Sequence, residues 1–356
     1  MSFTINREGP LVKIAVLCGG LSHERDVSIS TGTCVAAALR ERGHAVALID
    51  LYLGDEQMAA DPEGAFTCSS EDSLYTVRED EPDLDELRAR RGGKDLIGPG
   101  VLELCRHADI AFLALHGADG ENGKLQAYLD LCAIPYTGSG YLGSAIAMNK
   151  ELTKTLFAQA GIAAPGGITL HRGESVTGEI RFPCVVKPCS GGSSVGTSIV
   201  QNREDLNRAL ADAFACDDTV LVEQYIKGRE LTVGIIGGRA MPVIEIIPKT
   251  GFYDYKNKYQ AGFTEELCPA PLSEDDTRRV QSLAVDAFAA LHLEAYGRAD
   301  ILMDDTDGTL YCLEVNSLPG MTPTSLIPQM AAAEGKSYGE LCEELIDISL
   351  KKYEQT

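Results

Sequence analysis

The sequence carries a lysine at the end of an apolar run, followed at once by glycines and serines: Lys187-Pro188-Cys189-Ser190-Gly191-Gly192-Ser193-Ser194-Val195-Gly196. Glycines let backbone N–H groups converge on phosphate oxygens, serine hydroxyls add donors, and the lysine adds a point charge. The stretch is not GxxxxGK[ST], so it is not a P-loop. Its plain alternative is a hairpin loop with an incidental lysine. A second set is Arg298-Ala299-Asp300 with Glu314-Val315-Asn316. Asp305–Thr309 (DTDGT) reads as a turn, so the two segments pair as a hairpin. A loop at Thr306–Gly308 sets Asp305 opposite Thr309 and Asp300 opposite Glu314. Glu314 and Asn316 are two residues apart and share a sheet face. Hard oxygen donors gathered in this way suit Mg²⁺, which combines carboxylates with phosphate oxygens and water. The alternative is a solvated polar face. Ile301, Leu313 and Val315 speak against it, because they anchor the hairpin in a core.

Three more stretches bear on chemistry. Gly251–Tyr259 (GFYDYKNKY) alternates aromatic with polar and basic groups. Such a string could stack on nucleic acid, but a lid over a nucleotide fits the acidic chain better. His116-Gly117-Ala118-Asp119-Gly120-Glu121-Asn122-Gly123 leaves an apolar strand and enters a helix, and its glycines allow a small ligand close to the backbone. Gly19-Gly20 and then Glu24 follow another strand, at the edge where open α/β sheets bind ligands. No GxGxxG is present there, which disfavours a dinucleotide.

The elements that must position these residues are legible in outline. Lys13–Cys18, Val27–Arg42 and Ala45–Asp50 read as strand, helix and strand, a βαβ unit of a parallel sheet. Residues 54–97 are acidic and broken by Pro62, Pro82 and Gly92-Gly93, an insertion with helix at 83–91. Helix Gly100–His107, strand Asp109–Leu115 and helix Lys124–Leu131 complete an α/β domain at 1–138. The central part, 139–223, holds helix Asn149–Gln159, strand Ile180–Lys187, strand Val195–Val200, helix Asp205–Ala215 and strand Thr219–Gln224. The last part, 224–356, holds strands Glu230–Ile236 and Met241–Pro248 and helix Glu274–Leu291. Strands Gly297–Met303 and Thr309–Val315 and helix Ser337–Lys352 follow.

Composition excludes several classes. The chain has 356 residues, 44% apolar and 24% charged, which is a globular balance over two or three domains. Lys+Arg is 31 and Asp+Glu 53, a net charge of -22. That field repels nucleic acid and anionic lipid, so neither is expected as a partner. A phosphate-bearing ligand must be held by a local basic pocket. The six His are scattered without HExxH spacing, so zinc is not indicated. Eleven Cys, an odd number with no CxxC, read as reduced thiols. Met1–Gly9 is polar, and no apolar run approaches the ~18 residues of a membrane span. A soluble cytoplasmic protein is the expectation.

In their order along the chain these motifs resemble the D-alanine–D-alanine ligase family of the ATP-grasp superfamily. His116–Gln126 meets HGxxGE[DN]Gx[LIVMA][QSA], and Lys187–Gly196 meets KPxxxGSSxG. Asp254–Tyr259 meets DYxxKY. Gly297, Arg298 and Asp300, then Leu313–Ser325, meet GRxD…LExNxxPGMTxxS. The chain departs from the pattern in the insertion at 54–97 and in Thr324, where a histidine often stands.

The resemblance implies an α/β and α+β chain: an ATP-grasp fold behind an N-terminal parallel-sheet (preATP-grasp) domain. It implies ATP-dependent joining of two D-alanines through an acyl phosphate, for peptidoglycan precursors, cell wall biogenesis and cell shape. ATP is then a substrate, with two Mg²⁺ ions (Mn²⁺ able to replace them) on Asp300, Glu314 and Asn316. Lys150, Lys187 and Lys258 would contact the phosphates, with Ser193 and Ser194 in the loop. Glu230 would take the ribose, and Glu223 and the backbone at Ile226 the adenine, with Phe252 and Leu313 lining its pocket. Glu24 would pair with the ammonium of the first D-alanine, with Ser193 and Tyr259 hydrogen-bonding toward it. Arg298 and the N–H of Gly320 would hold the oxyanion. Ser325 and Leu326 would take the second carboxylate, with His116 near the acceptor. A homodimer is the family expectation. Tyr259 favours an amine acceptor over D-lactate and leaves D-serine open. A non-catalytic ATP-grasp sensor would be marked by loss of Lys187, Arg298, Glu314 or Asn316, and all four are present.

Overall fold

The computed structural model describes residues 11–67, 82–192, 194–248 and 264–354. In chain order the elements are β1 (Lys13–Cys18), α1 (Arg25–Glu41), β2 (Ala45–Asp50), α2 (Glu56–Ala60), α3 (Pro62–Ala65), α4 (Leu84–Arg91), α5 (Val101–His107), β3 (Ile110–Leu113), α6 (Ala118–Glu121) and α7 (Lys124–Leu131). Next come α8 (Tyr141–Met148), α9 (Lys150–Gln159), β4 (Gly167–His171), β5 (Cys184–Pro188), β6 (Ser198–Val200), α10 (Arg203–Cys216), β7 (Thr219–Gln224), β8 (Gly228–Ile236), β9 (Arg239–Ala240), β10 (Ile244–Pro248) and β11 (Thr264–Leu267). The rest are α11 (Glu274–Ala290), β12 (Tyr296–Asp304), β13 (Leu310–Asn316), α12 (Leu326–Ala333) and α13 (Tyr338–Leu350).

Two compact units form. The first is Met1–Tyr141, Glu294–Gly297 and Ser317–Thr356; the second is Leu142–Leu293 and Arg298–Asn316. The C-terminal segment thus gathers with the N-terminal residues. Arg42 and His44 hold it there, both reaching Glu343 of α13, at 2.6 and 2.9 Å.

In the first unit the sheet runs β2-β1-β3, all parallel. The run KIAVLC is apolar on both faces because α-helices cover such a sheet on each side, and Ile14 to Cys18 are all buried. Parallel pairing sets Cys18, Asp50 and Leu113 at one edge, so the loops carrying Glu24 and His116 leave from the same edge. Within the insertion α4 forms as expected, capped by Asp83 and ended by Gly92 in the left-handed region.

The second unit holds two sheets. One has the order β4-β7-β5-β6, all antiparallel. Its core includes Cys184, Val186, Val200, Leu206, Ala213, Val220 and Val222. The other follows β11-β10-β8-β12-β13, with β9 paired to β8, and α11 packs on it through Val280, Ala284 and Ala287. Helix α11 starts where Ser273 accepts from the Asp276 N–H, with Glu274, Asp275 and Asp276 on the positive end of its dipole.

The sequence reading departs from these elements in a few places. The strand expected from Ile180 begins at Cys184. Pro183 has no N–H to give a ladder, which delays pairing until after it. Strand β4 was not legible, since it is an edge strand with exposed Gly167 and His171 and little alternation. Helices α8 and α12 carry Gly143 and Pro328 inside short apolar runs, which mask the helical period. Among the described residues every cysteine is free, and no helix is long and apolar enough to cross a membrane.

Candidate active site

A cleft of about 530 Å³ opens within the second unit, lined from both of its sheets. Alternation along β5 builds one wall. Cys184 and Val186 turn into the core, so Val185 and Lys187 turn to the cleft. Opposite Val185 stands Glu223 of β7, only 3% exposed. Lys187 Nζ lies 2.8 Å from Glu223 Oε2, and Lys154 Nζ from α9 donates to Oε1. Burial opposes the charge on Glu223, but the fields and hydrogen bonds of Lys187 and Lys154 outweigh it and hold the carboxyl below its ordinary range. Burial likewise opposes the charge on Lys187, and Glu223 more than offsets it, so the ammonium is held above its usual range.

Lys150 opens α9 behind the cap Asn149. Its backbone N–H donates to Cys189 O at 3.0 Å, and its Nζ donates to Gly191 O at 2.8 Å. One residue thus ties the glycine–serine loop to a helix start. The same Nζ stands 3.4 Å from Glu314 Oε2. Ser194, in that loop, adopts φ 58 and lines the cleft with Ile226, Glu230 of β8 and Leu313 of β13.

Asp300, Glu314 and Asn316, expected on β12 and β13 to hold a metal, are brought together, by a route the sequence did not reveal. Asp300 pairs with Glu314, but Met303 pairs with Leu310. Residues 305–308 make the turn, one residue longer than Thr306–Gly308. A β-bulge at Leu313 absorbs the slip and restores the Asp300–Glu314 register. The bulge also turns two consecutive side chains, Leu313 and Glu314, toward the cleft, while Cys312 and Val315 enter the core. Leu313 is therefore not the core anchor that plain alternation predicts.

Asp300 is 8% exposed and accepts from Thr232 Oγ1 (2.7 Å), Arg298 Nε (2.9 Å), Arg298 Nη2 (2.8 Å) and Asn316 Nδ2 (3.0 Å). Arg298 and Lys150 thus counter the two facing carboxylates. Among the described residues no three His, Cys, Asp or Glu side chains cluster as a metal site. The donors are two carboxylates and an amide, an incomplete oxygen set of the kind Mg²⁺ completes with phosphate and water. The residues fit that ion.

In the first unit a separate cluster surrounds Glu24. Arg25 Nη1 donates to Gly20 O at 2.6 Å, and its guanidinium pairs with Asp50, which accepts from the N–H of Tyr52 and Leu53. That network holds the loop from β1 to α1. Glu24 sits at the N-cap of α1 but its side chain does not cap the helix. Gly117 has φ +84, and a Cβ there would lie 3.2 Å from Glu24 Oε2 and 3.0 Å from Ser22 Cβ. The glycine that sequence alone assigned to ligand access is thus also needed for packing against Glu24. His116 is buried: its carbonyl accepts from Ser22 Oγ at 2.7 Å, and its Nε2 meets the Thr31 hydroxyl at 2.9 Å. Ser325 Oγ accepts from Thr322 N–H at 3.1 Å and leaves α12, which begins at Leu326, with no side-chain cap. A Cβ on Gly320 would lie 2.9 Å from Ser325 Oγ, so Gly320 and Ser325 are packed together.

Ser193, Phe252, Lys258 and Tyr259 lie outside the described residues. Sequence reasoning missed Lys154 and Thr232. Lys154 follows Lys150 by one helical turn, a spacing that puts both on one face. Nothing in the sequence marks the Thr232 hydroxyl.

Residues 13–139 match the family described as D-ala D-ala ligase N-terminus, and residues 159–347 the one described as D-ala D-ala ligase C-terminus. The chain is 44% identical over 351 residues to the D-alanine–D-alanine ligase of Pediococcus pentosaceus, covering 97% of this chain and 99% of that protein. It is 42% identical to that of Lacticaseibacillus casei, covering 96% and 97%. Among solved structures it resembles the D-alanine–D-alanine ligase of Bacillus anthracis complexed with ATP, with a TM-score of 0.75 and 30% identity over 97% of this chain and 99% of that one.

Proposed function

The chain belongs to the D-alanine–D-alanine ligase family, and on that premise we propose that it joins two D-alanine molecules through an acyl phosphate made from ATP. It is an ATP-dependent carboxylate–amine ligase of the ATP-grasp fold. The observation that carries the reading is the cleft that gathers Lys150, Lys187, Glu223, Glu230, Asp300 and Glu314. These are the cations, acceptors and hard oxygens that a nucleoside triphosphate requires.

In this reading one D-alanine carboxylate attacks the γ-phosphorus, the bond to the β-phosphate oxygen breaks, and ADP leaves. The amine of the second D-alanine then attacks the acyl carbon, and phosphate departs. Lys150, Lys187 and Lys258 hold phosphate oxygens, aided by Ser193 and Ser194. Glu230 takes the ribose hydroxyls. Glu223 and the backbone at Ile226 take the adenine edge, and Leu313 and Phe252 line its pocket. Asp300, Glu314 and Asn316 would hold Mg²⁺, which when bound neutralises charge on the phosphates. Glu24 receives the first ammonium. Arg298 and the Gly320 N–H steady the oxyanion, where one donor is typically worth ~3–4 kcal/mol. Ser325 and the uncapped start of α12 at Leu326 receive the second carboxylate, with His116 near the acceptor. By the family resemblance Tyr259 and Ser193 would hydrogen-bond toward Glu24, and closure would matter because a wet acyl phosphate would hydrolyse.

We assign the product to peptidoglycan precursor synthesis and the enzyme to the cytoplasm as a homodimer, without nucleic-acid or membrane partners. By role, the chain divides into 1–138, 139–223 and 224–356. The test is phosphate release from ATP and Mg²⁺ with D-alanine alone, with added D-lactate and with added D-serine, reading product masses. D-Alanyl-D-alanine as the main product in all three supports the reading. Dominance of a mixed product would move the acceptor, and no turnover with any D-amino acid would overturn it.

A further inference from the structure

We propose that Lys154 is a positioning residue of the nucleotide site: it holds Glu223 in place for the base and leaves the charge of Lys187 available to ATP. The inference rests on the reading that the adenine edge lies against Glu223.

Lys154 and Lys150 are one turn apart on α9 and do different work. Lys150 goes to Gly191 O and Glu314. Lys154 goes to Glu223 Oε1 and the carbonyl of Pro165, and Pro165 lines the same cleft. The β4–β7 pairing fixes that segment, with the Gln224 N–H donating to Gly166 O at 2.7 Å. The Lys154 ammonium is therefore anchored at a neutral carbonyl as well as at the carboxylate.

Charge count shows why a second lysine matters. A carboxylate as buried as Glu223 needs one cation, and Lys187 alone would leave the pair neutral. With Lys154 the three groups sum to one positive charge, beside a Lys150–Glu314 pair that sums to zero. Arg229 pairs with Glu245 and Arg298 with Asp300, so the single positive charge is confined to the Glu223 corner, with Glu230 and Asp305 elsewhere in the cleft; it favours phosphate at that corner. Geometry gives the second consequence. Lys154 engages Oε1 and Lys187 engages Oε2, one lysine on each oxygen. A carboxylate clamped from both sides keeps a fixed plane, and its remaining lone pairs only accept. It selects a base edge that presents an amino donor, as adenine does, over one that presents a carbonyl, as guanine does. A site built to hydrogen-bond a particular donor rejects the analogue that lacks it.

The experiment compares the full-length enzyme with Lys154→Gln, Lys154→Arg, Glu223→Gln and the Lys154→Gln/Glu223→Gln pair. It reads KM for ATP and for GTP, kcat, KM for D-alanine, and ADP affinity by calorimetry without D-alanine. Lys187 still partners Glu223 in Lys154→Gln, so no buried charge is left alone. The expected result for Lys154→Gln is about a tenfold rise in KM for ATP, matching weaker ADP binding, and a narrowed ATP-over-GTP preference. KM for D-alanine and kcat at saturating ATP stay within about threefold. Lys154→Arg restores ATP binding, and the double variant is no worse than Glu223→Gln. A Lys154→Gln enzyme with lowered melting temperature but unchanged KM and purine preference overturns the proposal, as does an equal change in every kinetic constant. If Glu223→Gln leaves the purine preference untouched, the adenine placement itself fails and the inference falls with it. If Glu223→Gln changes it and Lys154→Gln does not, only the role of Lys154 fails.

Discussion

Asp300 and Glu314 face each other across β12 and β13 only because a bulge at Leu313 cancels the extra residue in the turn at 305–308. Two like charges, one on buried Asp300 and one on partly exposed Glu314, are brought together and countered by Arg298 and Lys150. The proposal that this corner holds Mg²⁺ has a direct test.

Glu314→Gln keeps the shape of the bulge and removes one of those charges. Turnover should fall at least about a hundredfold, since stabilisation of transferring phosphate charge is lost. The melting temperature should stay near that of the parent, because Glu314 is partly exposed at the cleft. An Mg²⁺ titration checks this, and full activity at saturating Mg²⁺ would refute the metal assignment.

Thr232 is fully buried, and its hydroxyl donates to Asp300 Oδ1 at 2.7 Å. Thr232→Val keeps the shape and deletes the donor. The expected cost is about 1–2 kcal/mol in a urea melt. An accompanying rise in the Mg²⁺ needed for half-maximal rate would show that the hydroxyl orients Asp300. A melt unchanged from the parent would deny the bond any energetic role.

Gly117→Ala adds a Cβ at φ +84, close to Glu24 and Ser22. Left-handed backbone strain alone is worth about 1–2 kcal/mol. KM for D-alanine should rise several-fold while KM for ATP holds, because the change lies in the first unit beside Glu24. Steady-state kinetics with each substrate varied in turn decides it, and equal shifts in both constants would contradict the assignment of Glu24.

Lys352 stands over the rings of Tyr136 and Tyr353, at 4.6 and 5.3 Å, and donates to Gly138 O. Burial outweighs the pull of Glu294 and Asp130 and lowers its ammonium to about 8. The unfolded chain holds this proton up to roughly pH 10.4. Between those values the unfolded state binds more protons at this group, so its contribution to stability rises with pH. Thiols that burial pushes up, among them Cys105 and Cys342, pull the other way, but alike in parent and variant. Relative to Lys352→Met, the parent should therefore gain about 1 kcal/mol in urea melts between pH 8 and 9.5, and parallel pH profiles for the two would rule the lysine out.

Much of the site was legible because the chemistry is local. Lys187 ends a strand whose alternation sends it to the face opposite Cys184 and Val186, and a period of two is readable from a few residues. Glu314 and Asn316 carried their shared face in their spacing. What escaped were features set by distant partners. Lys154 looks like an ordinary surface lysine until β7 brings Glu223 to it from 69 positions away.

By itself the sequence determined the parallel βαβ start and the order of the candidate ligand-binding segments, whereas the expected pairing of Asp300 with Glu314 is met only because the longer turn and the bulge offset each other. The first two follow from residue types within one strand, helix or loop. Tertiary structure alone decided the bulge that turns Leu313 and Glu314 to the cleft and the gathering of Ser317–Thr356 with the N-terminal residues. It also decided the two-lysine clamp on Glu223. The physical reason is the same in each case. A backbone irregularity or a long-range ion pair is selected by how the elements pack, and side-chain patterning within a segment does not encode that energy.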